Sequence, residues 1–263
     1  MRIFQVDSFT NKPFTGNPAG VCILPEGIPD SEMLNIAKEM NLPETAFLQG
    51  NGVGYNLRWF TPYTEIELCG HATLASAHIL WATGDLSPDE IARFDTLSGE
   101  LTAKKNGEWI DLDFPAEYET NADTPVEIAD ALGVQPIYVG KNRFDYLVEV
   151  YSEEMVRNIK PNFDLLKKVP SRGIIVTSRA DTGNYDFVSR FFAPAIGVDE
   201  DPVTGSAHCC LGPYWKSRLN KSQFEAFQLS ERGGVVRVEV KSDRVILSGQ
   251  AVTVIEGEII LEV

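Results

Sequence analysis

The sequence predicts an α+β protein made of two similar lobes, each a mixed β-sheet or barrel wrapped round a central apolar helix. The motif R-W-F-T-P at 58–62 recurs in altered form as R-F-F-A-P at 190–194. Each copy is followed by acidic residues and then by an apolar run that opens at Gly70 or Gly205. A repeat of half the chain length indicates two lobes, whereas a solenoid would repeat every few tens of residues. The length of 263 residues suits two cores of about 130 residues each.

The first lobe, residues 1–115, is predicted from alternating β-forming segments separated by turn residues. Asp30 or Ser31 is expected to cap a helix over about 31–40. The run from Gly70 to Gly84 is apolar on nearly every side, which is typical of a buried helix. Strands are expected at 3–9, 19–24, 45–49, 55–60, 94–97, 100–104 and 109–114.

The second lobe, residues 116–263, is predicted to repeat this plan. The polar segment Pro115–Pro125 is interpreted as a linker, and 205–219 as the second buried helix. Short helices are expected at about 125–132 and 162–167. Strands are expected at 136–139, 146–150, 173–177, 186–192, 235–240, 244–249, 251–255 and 258–263.

Composition and charge exclude several classes of protein. A net charge of −15 and a pI of about 4.6 argue against nucleic-acid binding, which needs clustered Lys and Arg. No apolar run approaches the ~18–20 residues that span a bilayer, and the N-terminus reads as a strand, without the apolar core of a signal peptide. The four cysteines have neither disulfide-scaffold nor zinc spacing, so we expect a cytoplasmic protein.

The two helix starts are candidate binding sites for a carboxylate group. The first N–H groups of a helix lack internal partners and carry partial positive charge. Gly70 and Gly205 have no Cβ, so a ligand can approach the backbone closely. Alternatively, these glycines only open buried helices where space is short. Because ligand sites favour domain interfaces, we expect the two starts to form the walls of one site between the lobes.

Three residues before or within the second helix start have two possible roles. Asp201 is either a helix cap or an acceptor for a substrate ammonium or hydroxyl group. Thr204 and Ser206 are likewise caps or hydrogen-bond donors to a ligand. The sequence alone does not decide between these roles.

His71 and Cys69 lie at the first helix start. Positive charge there disfavours imidazolium, so a neutral His71 is expected. The same dipole is expected to favour a thiolate at Cys69, which could act as an acid or base. His78 and His208 are interpreted as core histidines. No histidine pair has ligand spacing with a carboxylate, so no metal site is predicted.

Glu44 is the remaining candidate acid or base. It follows Pro43 and is flanked by apolar residues, although glutamate is rarely buried without a reason. Partial burial suits a carboxyl group to proton transfer. The alternative is a surface glutamate in a loop.

Four motifs together resemble the PhzF-like, or phenazine-biosynthesis-like, isomerase family, which shares the diaminopimelate epimerase fold. The motifs stand in the family's order and cover nearly the whole chain. The resemblance implies a homodimer that acts on a small-molecule carboxylate without metal or organic cofactor. It also suggests that the last strand, about 258–263, crosses back to the first lobe. The motifs are G-N-P-A-G-V (16–21), N-L-P-E-T-A-F (41–47), R-W-F-T-P…E-L-C-G-H-A-T-L-A (58–75) and R-F-F-A-P…E-D-P-V-T-G-S-A-H (190–208).

The resemblance also assigns roles to residues. It implies that Glu44 is the catalytic acid/base and that His71 and Asp201 join it in the catalytic site. The typical family member moves a proton between carbons of a dihydro-hydroxyanthranilate. The residues that match substrate-binding positions are Asn17, Gly70, Thr204, Gly205 and Ser206.

The expected activity is therefore a cofactor-independent isomerase that moves a proton between carbons of a small amino- or hydroxycarboxylate. One alternative is an amino-acid epimerase or racemase assisted by Cys69. Cys69 resembles the first cysteine of the epimerases' pair, but Thr204 stands where the second would be. The other alternative is a non-catalytic protein that binds a small metabolite.

Overall fold

The computed structural model describes residues 1–181 and 183–260. The chain divides into two compact units. The first contains Met1–Asp113 and the described residues from Ser248 onward, and the second contains Phe114–Leu247. The chain thus returns to the first unit at Ser248, whereas the sequence analysis placed a return at about 258. Residues 261–263 of the predicted last strand lie outside the described part of the chain.

The first unit is built on strands that surround one helix. Its helices are α1 (Asp30–Met40) and α2 (Gly70–Thr83). Its strands are β1 (Arg2–Ser8), β2 (Asn17–Leu24), β3 (Glu44–Gly50), β4 (Tyr55–Phe60), β5 (Glu65–Ile66), β6 (Ala92–Thr96), β7 (Gly99–Asn106) and β8 (Trp109–Pro115), the last of which continues into the second unit.

The sheet of the first unit is mixed. β1 pairs antiparallel with β2 and with the returning strand Ala251–Glu258, and β2 pairs parallel with β3. β4 pairs antiparallel with β3 and β5 and parallel with β6. α2 packs against β1, β2 and β3, and most of its side chains are buried, as its lack of a polar face predicts. α1 instead buries one face, with Met33 and Ile36, in a separate cluster with Phe47 and Phe60.

The second unit follows a similar order. Its helices are α3 (Val126–Leu132), α4 (Glu153–Asn158), α5 (Phe163–Leu166) and α6 (Gly205–Leu219), with a 3₁₀ turn at Pro194–Ile196. Its strands are β9 (Thr120–Asn121), β10 (Tyr138–Lys141), β11 (Asp145–Glu149), β12 (Gly173–Arg179), β13 (Phe187–Ala193), β14 (Val198–Asp201), β15 (Gln223–Gln228), β16 (Gly234–Lys241) and β17 (Arg244–Gly249), the last of which continues into the first unit. The strand Ala251–Glu258 of the first unit is β18.

This sheet is also mixed and packs on a buried helix. β11 pairs parallel with β12, which pairs antiparallel with β13. β13 pairs antiparallel with β14 and parallel with β15. α6 packs against β16 and buries His208, Cys209 and Cys210. Both units therefore confirm the predicted α+β class. Among the described helices, none has the length and apolar character needed to cross a membrane.

The repeated motif produces the same ion pair in each unit. In the first, Arg58 Nε and Nη2 donate to the two carboxylate oxygens of Glu65 at 2.6 and 2.7 Å. In the second, Arg190 Nε and Nη2 donate to those of Glu200 at 2.7 and 2.8 Å. An ion pair with two parallel hydrogen bonds fixes the orientation of the guanidinium relative to the carboxylate as well as the distance between them. It ties β4 to β5 and β13 to β14, immediately before the segments that open the buried helices.

Some local predictions were wrong. Pro29, not Asp30 or Ser31, occupies the N-cap position of α1, because the helix already starts at Asp30. The segment predicted as a linker belongs to the second unit, where Ala116 N–H donates to the Asp243 carbonyl. It also contains the short strand β9, which pairs with β10.

We expect Gly212→Ala to destabilise the second unit. Replacing a helix-interior glycine by alanine normally stabilises by about 0.5–1 kcal/mol. Here, however, the new Cβ would lie 2.8 Å from Val238 Cγ1 and 3.0 Å from Val240 Cγ2 on β16. Overpacking of this kind costs about 1–3 kcal/mol, so the free energy of unfolding should fall by about 1 kcal/mol in urea titrations.

Gly50→Ala is the matched control, because a Cβ at Gly50 would meet nothing within 4 Å. It should change the free energy of unfolding by less than about 0.5 kcal/mol. Equal effects of the two substitutions, or a stabilised Gly212→Ala variant, would contradict the close packing of α6 on β16.

Candidate active site

Glu44 lies at the first residue of β3. Pro43 precedes it, and Ala19 of β2 is its neighbour in the parallel register. The Glu44 side chain is only 16% exposed, so the alternative of a surface loop glutamate is wrong. A strand thus holds this carboxylate at a fixed point beside a largely buried sheet face.

His71 faces Glu44 from the first turn of α2. Its Nε2 lies 3.2 Å from Glu44 Oε2, an ion-pair distance, and both atoms are buried without a hydrogen-bond partner among the described residues. The imidazole is almost fully buried, and the Ser8 hydroxyl donates to the His71 carbonyl at 2.8 Å. The carboxylate and the imidazole therefore face each other in a close and largely buried contact.

The other ring nitrogen of His71 faces Asn17 and Cys69. Asn17 Nδ2 lies 3.2 Å from Nδ1, and Cys69 Sγ lies 3.5 Å from it. Asn17 opens β2 and is fully buried, while Cys69 occupies the N-cap position of α2. The structure thus brings together every residue that the sequence analysis assigned to the first lobe: Asn17, Glu44, Cys69, Gly70 and His71.

Cys69 is a thiol at neutral pH, contrary to the expected thiolate. Burial raises the pKa of the Cys69 thiol above its ordinary value of 9.0, and the neighbouring His71 lowers it by less. The helix start was expected to stabilise a thiolate. The cost of removing a negative charge from water outweighs that stabilisation here.

The pKa of His71 is also shifted in the opposite direction to the one expected. Burial lowers the pKa of the imidazole, but Cys69 and Glu44 raise it more, so that it lies well above 6.5. Cys69 is the larger of the two raising influences and the Glu44 carboxylate is the second, so both neighbours favour a proton on His71. Together they outweigh the positive end of α2.

The contacts of His71 suit two states that differ by one proton. With a neutral ring protonated at Nε2, the N–H faces Glu44 and Nδ1 can accept from the Asn17 amide. With imidazolium, Nε2–H still faces Glu44, and Nδ1–H can donate to the Cys69 sulfur. A donor therefore faces Glu44 in both states, which is useful for a group that gains and loses a proton.

A metal ion would fit this cluster poorly. One ligand atom from each of Glu44, Cys69 and His71 lies within 4.8 Å of the others, which is close enough to suggest a metal site. However, Glu44 faces Nε2 and Cys69 faces Nδ1. An imidazole binds a given metal ion through one nitrogen, so the three side chains do not surround a common centre.

In the second unit, the structure groups the residues before α6. Thr204, not Asp201, occupies the N-cap position, and its hydroxyl donates to Asp201 Oδ2 at 2.5 Å without capping the helix. Buried Gln228 connects this segment, accepting from Thr204 N–H at 2.9 Å and donating to the Asp201 carbonyl at 2.7 Å. Asp201 therefore does not occupy the N-cap position.

Sequence reasoning missed the partners of Ser206. Arg172 Nη2 donates to Ser206 Oγ at 3.0 Å, and the same guanidinium pairs with the buried carboxylate of Asp145. Arg172 precedes the apolar strand β12 and Asp145 opens β11, so each resembles an ordinary strand-end residue in sequence. Gln228, the buried glutamine at the end of β15 that contacts Thr204 and Asp201, would have been the easiest of the missed residues to detect.

The remaining histidines and cysteines confirm the predicted core roles in part. His208 is fully buried, and its Nδ1 lies 2.8 Å from the Thr204 carbonyl. His78 is only partly buried, with Nε2 3.0 Å from Thr253 Oγ1. Cys209 and Cys210 are both buried in α6.

Comparison with known proteins defines the class. The fold is that of a predicted epimerase from Pseudomonas aeruginosa, which superimposes with a TM-score of 0.78 over 99% of each chain at 20% identity. A relative from Halalkalibacterium halodurans, described as an uncharacterized isomerase, is 57% identical over 98% of each chain. The chain is thus an isomerase with an epimerase-like fold.

The family follows from two further matches. The model of the phenazine biosynthesis-like protein family, PhzC-PhzF, matches residues 6–257. A crystal structure of a PhzF-family protein from Enterococcus faecalis has a TM-score of 0.95 at 42% identity, over 99% of each chain. The chain belongs to the PhzF-like family, as the sequence motifs indicated.

The three histidines should be distinguishable by NMR titration. Burial lowers the pKa of His78 and of His208 to about 4, so both should be neutral above about pH 5. His71 should remain imidazolium at pH 7 because its pKa is raised. Its protonation therefore favours the folded state at low pH, and that contribution is lost as pH rises through the raised pKa. The measurement is the pH dependence of the imidazole ¹³Cε1 shifts.

Glu44→Gln should lower the pKa of His71, because it removes the carboxylate that holds the proton. Glu65→Gln is the matched control, since Glu65 pairs with Arg58 instead. A neutral His71 at pH 7 in the unsubstituted protein, or an unchanged pKa in Glu44→Gln, would contradict the assignment.

Proposed function

We propose that this isomerase moves a proton between two carbons of a small amino- or hydroxycarboxylate, with Glu44 as the acid/base. The observation that carries the proposal is the 3.2 Å contact between Glu44 Oε2 and His71 Nε2, with both side chains largely buried. A carboxylate shielded from water and held by one donor is suited to take up and release a proton.

In the proposed reaction, the proton is exchanged between the substrate and Glu44 alone. Glu44 removes a proton from one carbon, leaving the electron pair delocalised over the adjacent unsaturated system. The same carboxyl group then returns the proton to a different carbon, so the product is an isomer. General acid/base catalysis contributes about 10²–10⁴-fold, and positioning of the substrate must supply much of the rest.

His71 is proposed to keep Glu44 in place during both steps. Its Nε2–H can donate to the carboxylate before and after proton transfer, and its positive charge favours the ionised form that begins the cycle. Asn17 and Cys69 restrict the imidazole from its other side.

The helix starts are proposed to bind the substrate. The side chain of Thr204, the N-cap residue of α6, does not cap its helix, which supports a role for the first-turn N–H groups in binding an anion. Gly205 and Ser206 of α6 are proposed to bind the substrate carboxylate, and Gly70 of α2 is proposed as a further substrate-binding residue. Asp201 is proposed as the acceptor for a substrate amino or hydroxyl group, with Thr204 holding its carboxylate.

Cys69-assisted epimerisation is less well supported. Burial raises the pKa of the Cys69 thiol, and a thiol is a poor base. The family resemblance further supports action without a cofactor, as a homodimer, in the cytoplasm, and these properties form part of the proposal.

Glu44→Gln should abolish isomerisation. The assay incubates the protein in ²H₂O with a panel of small amino- and hydroxycarboxylates, including dihydro-hydroxyanthranilate, and detects carbon-bound deuterium by mass spectrometry. Loss of general acid/base catalysis should slow deuterium uptake by at least about 10²-fold. Equal uptake by the variant and the unsubstituted protein would remove Glu44 from the mechanism.

Two controls belong to this experiment. Glu65→Gln removes a comparable carboxylate of the first unit that does not contact His71, so uptake should persist. Cys69→Ser should also retain most uptake. If Cys69→Ser instead lost activity as completely as Glu44→Gln, the thiol-assisted alternative would replace the proposal.

A further inference from the structure

We propose that Arg172 is a positioning residue that makes the Ser206 hydroxyl a hydrogen-bond donor to the substrate, and that Asp145 holds Arg172 for this purpose. The inference rests on the proposed function, in which Ser206 binds the substrate carboxylate. It concerns residues of the second unit alone. Neither Arg172 nor Asp145 was among the site residues predicted from sequence.

Asp145 is a fixed and fully desolvated anion. Its side chain is completely buried, and its own N–H donates to Asn142 Oδ1 at 2.7 Å. Phe144 N–H donates to the same oxygen at 2.8 Å, so the Asn142 side chain closes the turn into β11. A buried carboxylate needs a charged partner, and Arg172 is that partner.

The guanidinium of Arg172 donates hydrogen bonds to two side chains, those of Asp145 and Ser206. Nε donates to Asp145 Oδ1 at 2.9 Å, while Nη2 donates both to Asp145 Oδ2 and to Ser206 Oγ, the latter at 3.0 Å. Only a planar group with several N–H donors can make this set of bonds, and a lysine ammonium cannot reproduce its fork geometry.

Aromatic rings restrict the guanidinium further. Its Cζ lies 5.0 Å from the centre of the Phe144 ring and 5.6 Å from that of Phe191. Phe191 lies close to the backbone beside Arg172, since a Cβ at Gly173 would be 2.3 Å from Phe191 Cζ. Glycine at 173 therefore allows the ring to approach, and the ring limits movement of the arginine.

The hydrogen bond from Arg172 determines in which direction the Ser206 hydroxyl group can hydrogen-bond to a ligand. A serine hydroxyl has one hydrogen and can accept through its oxygen. Because Oγ accepts from the positively charged Arg172, its own hydrogen is directed elsewhere, and it has no other partner among residues 1–181 and 183–260. Ser206 in the first turn of α6 is thus prepared to donate to an acceptor such as a carboxylate oxygen.

The first test compares crystal structures of Arg172→Lys and Arg218→Lys. Arg218 is a matched control in the same unit: its side chain is 29% exposed against 31% for Arg172, and it pairs with Glu149 while stacking on Tyr214. Ser206 Oγ should change rotamer or become disordered only in Arg172→Lys. An unmoved Oγ in both variants would overturn the proposal, whether or not turnover has been found.

The second test is a double-mutant cycle of Arg172→Lys and Ser206→Ala, measured on the carboxylate that shows deuterium uptake. Each single substitution should lower kcat/KM about tenfold, chiefly by raising KM, because a charge-assisted hydrogen bond is lost. The double variant should be no worse than Ser206→Ala, and Arg218→Lys should keep its activity. Losses that multiply to about a hundredfold would overturn the proposal while leaving Glu44 catalysis standing.

Discussion

The buried 3.2 Å contact between Glu44 and His71 is the interaction on which the site in the first unit depends. A buried carboxylate without a partner would cost several kcal/mol, and a buried imidazole would lose its proton. When the two groups are paired, the carboxylate stabilises the proton on the imidazole, and the imidazolium compensates the buried negative charge of the carboxylate. The strand β3 and the helix α2 matter to function because they present these two side chains at hydrogen-bonding distance. Asn17 at the start of β2 then holds the ring from behind.

The two units repeat a backbone plan but differ in the polar groups placed on it. The ion pairs Arg58–Glu65 and Arg190–Glu200 occupy matching positions before the two buried helices. At the first helix start, the chain places an acid and an imidazole. At the second, it places Asp201 and Ser206, supported by a glutamine and an arginine. The division suggests that proton transfer belongs to one repeat and recognition of polar substrate groups to the other.

Several features of the fold and of the candidate site could be predicted from the sequence, each for a different physical reason. The buried helices were evident because their apolar residues leave no polar face, and the repeated motif indicated two similar units. Glu44 stood out as an acid between apolar residues. The expected directions of the pKa shifts of His71 and Cys69 were wrong. For Cys69, burial outweighs the helix dipole, and for His71 the neighbouring Cys69 and Glu44 do so. Arg172 was missed because its contact with Ser206 joins segments far apart in the chain.

In the proposed mechanism, one carboxylate both removes the proton and returns it. The most direct test is a single-turnover reaction in ordinary water with substrate that carries deuterium at the carbon that loses its proton. If Glu44 carries the label while shielded from solvent, a measurable fraction of the product should hold deuterium at the new carbon. Complete loss of the label to water, with turnover intact, would indicate that different groups remove and return the proton and would contradict the account.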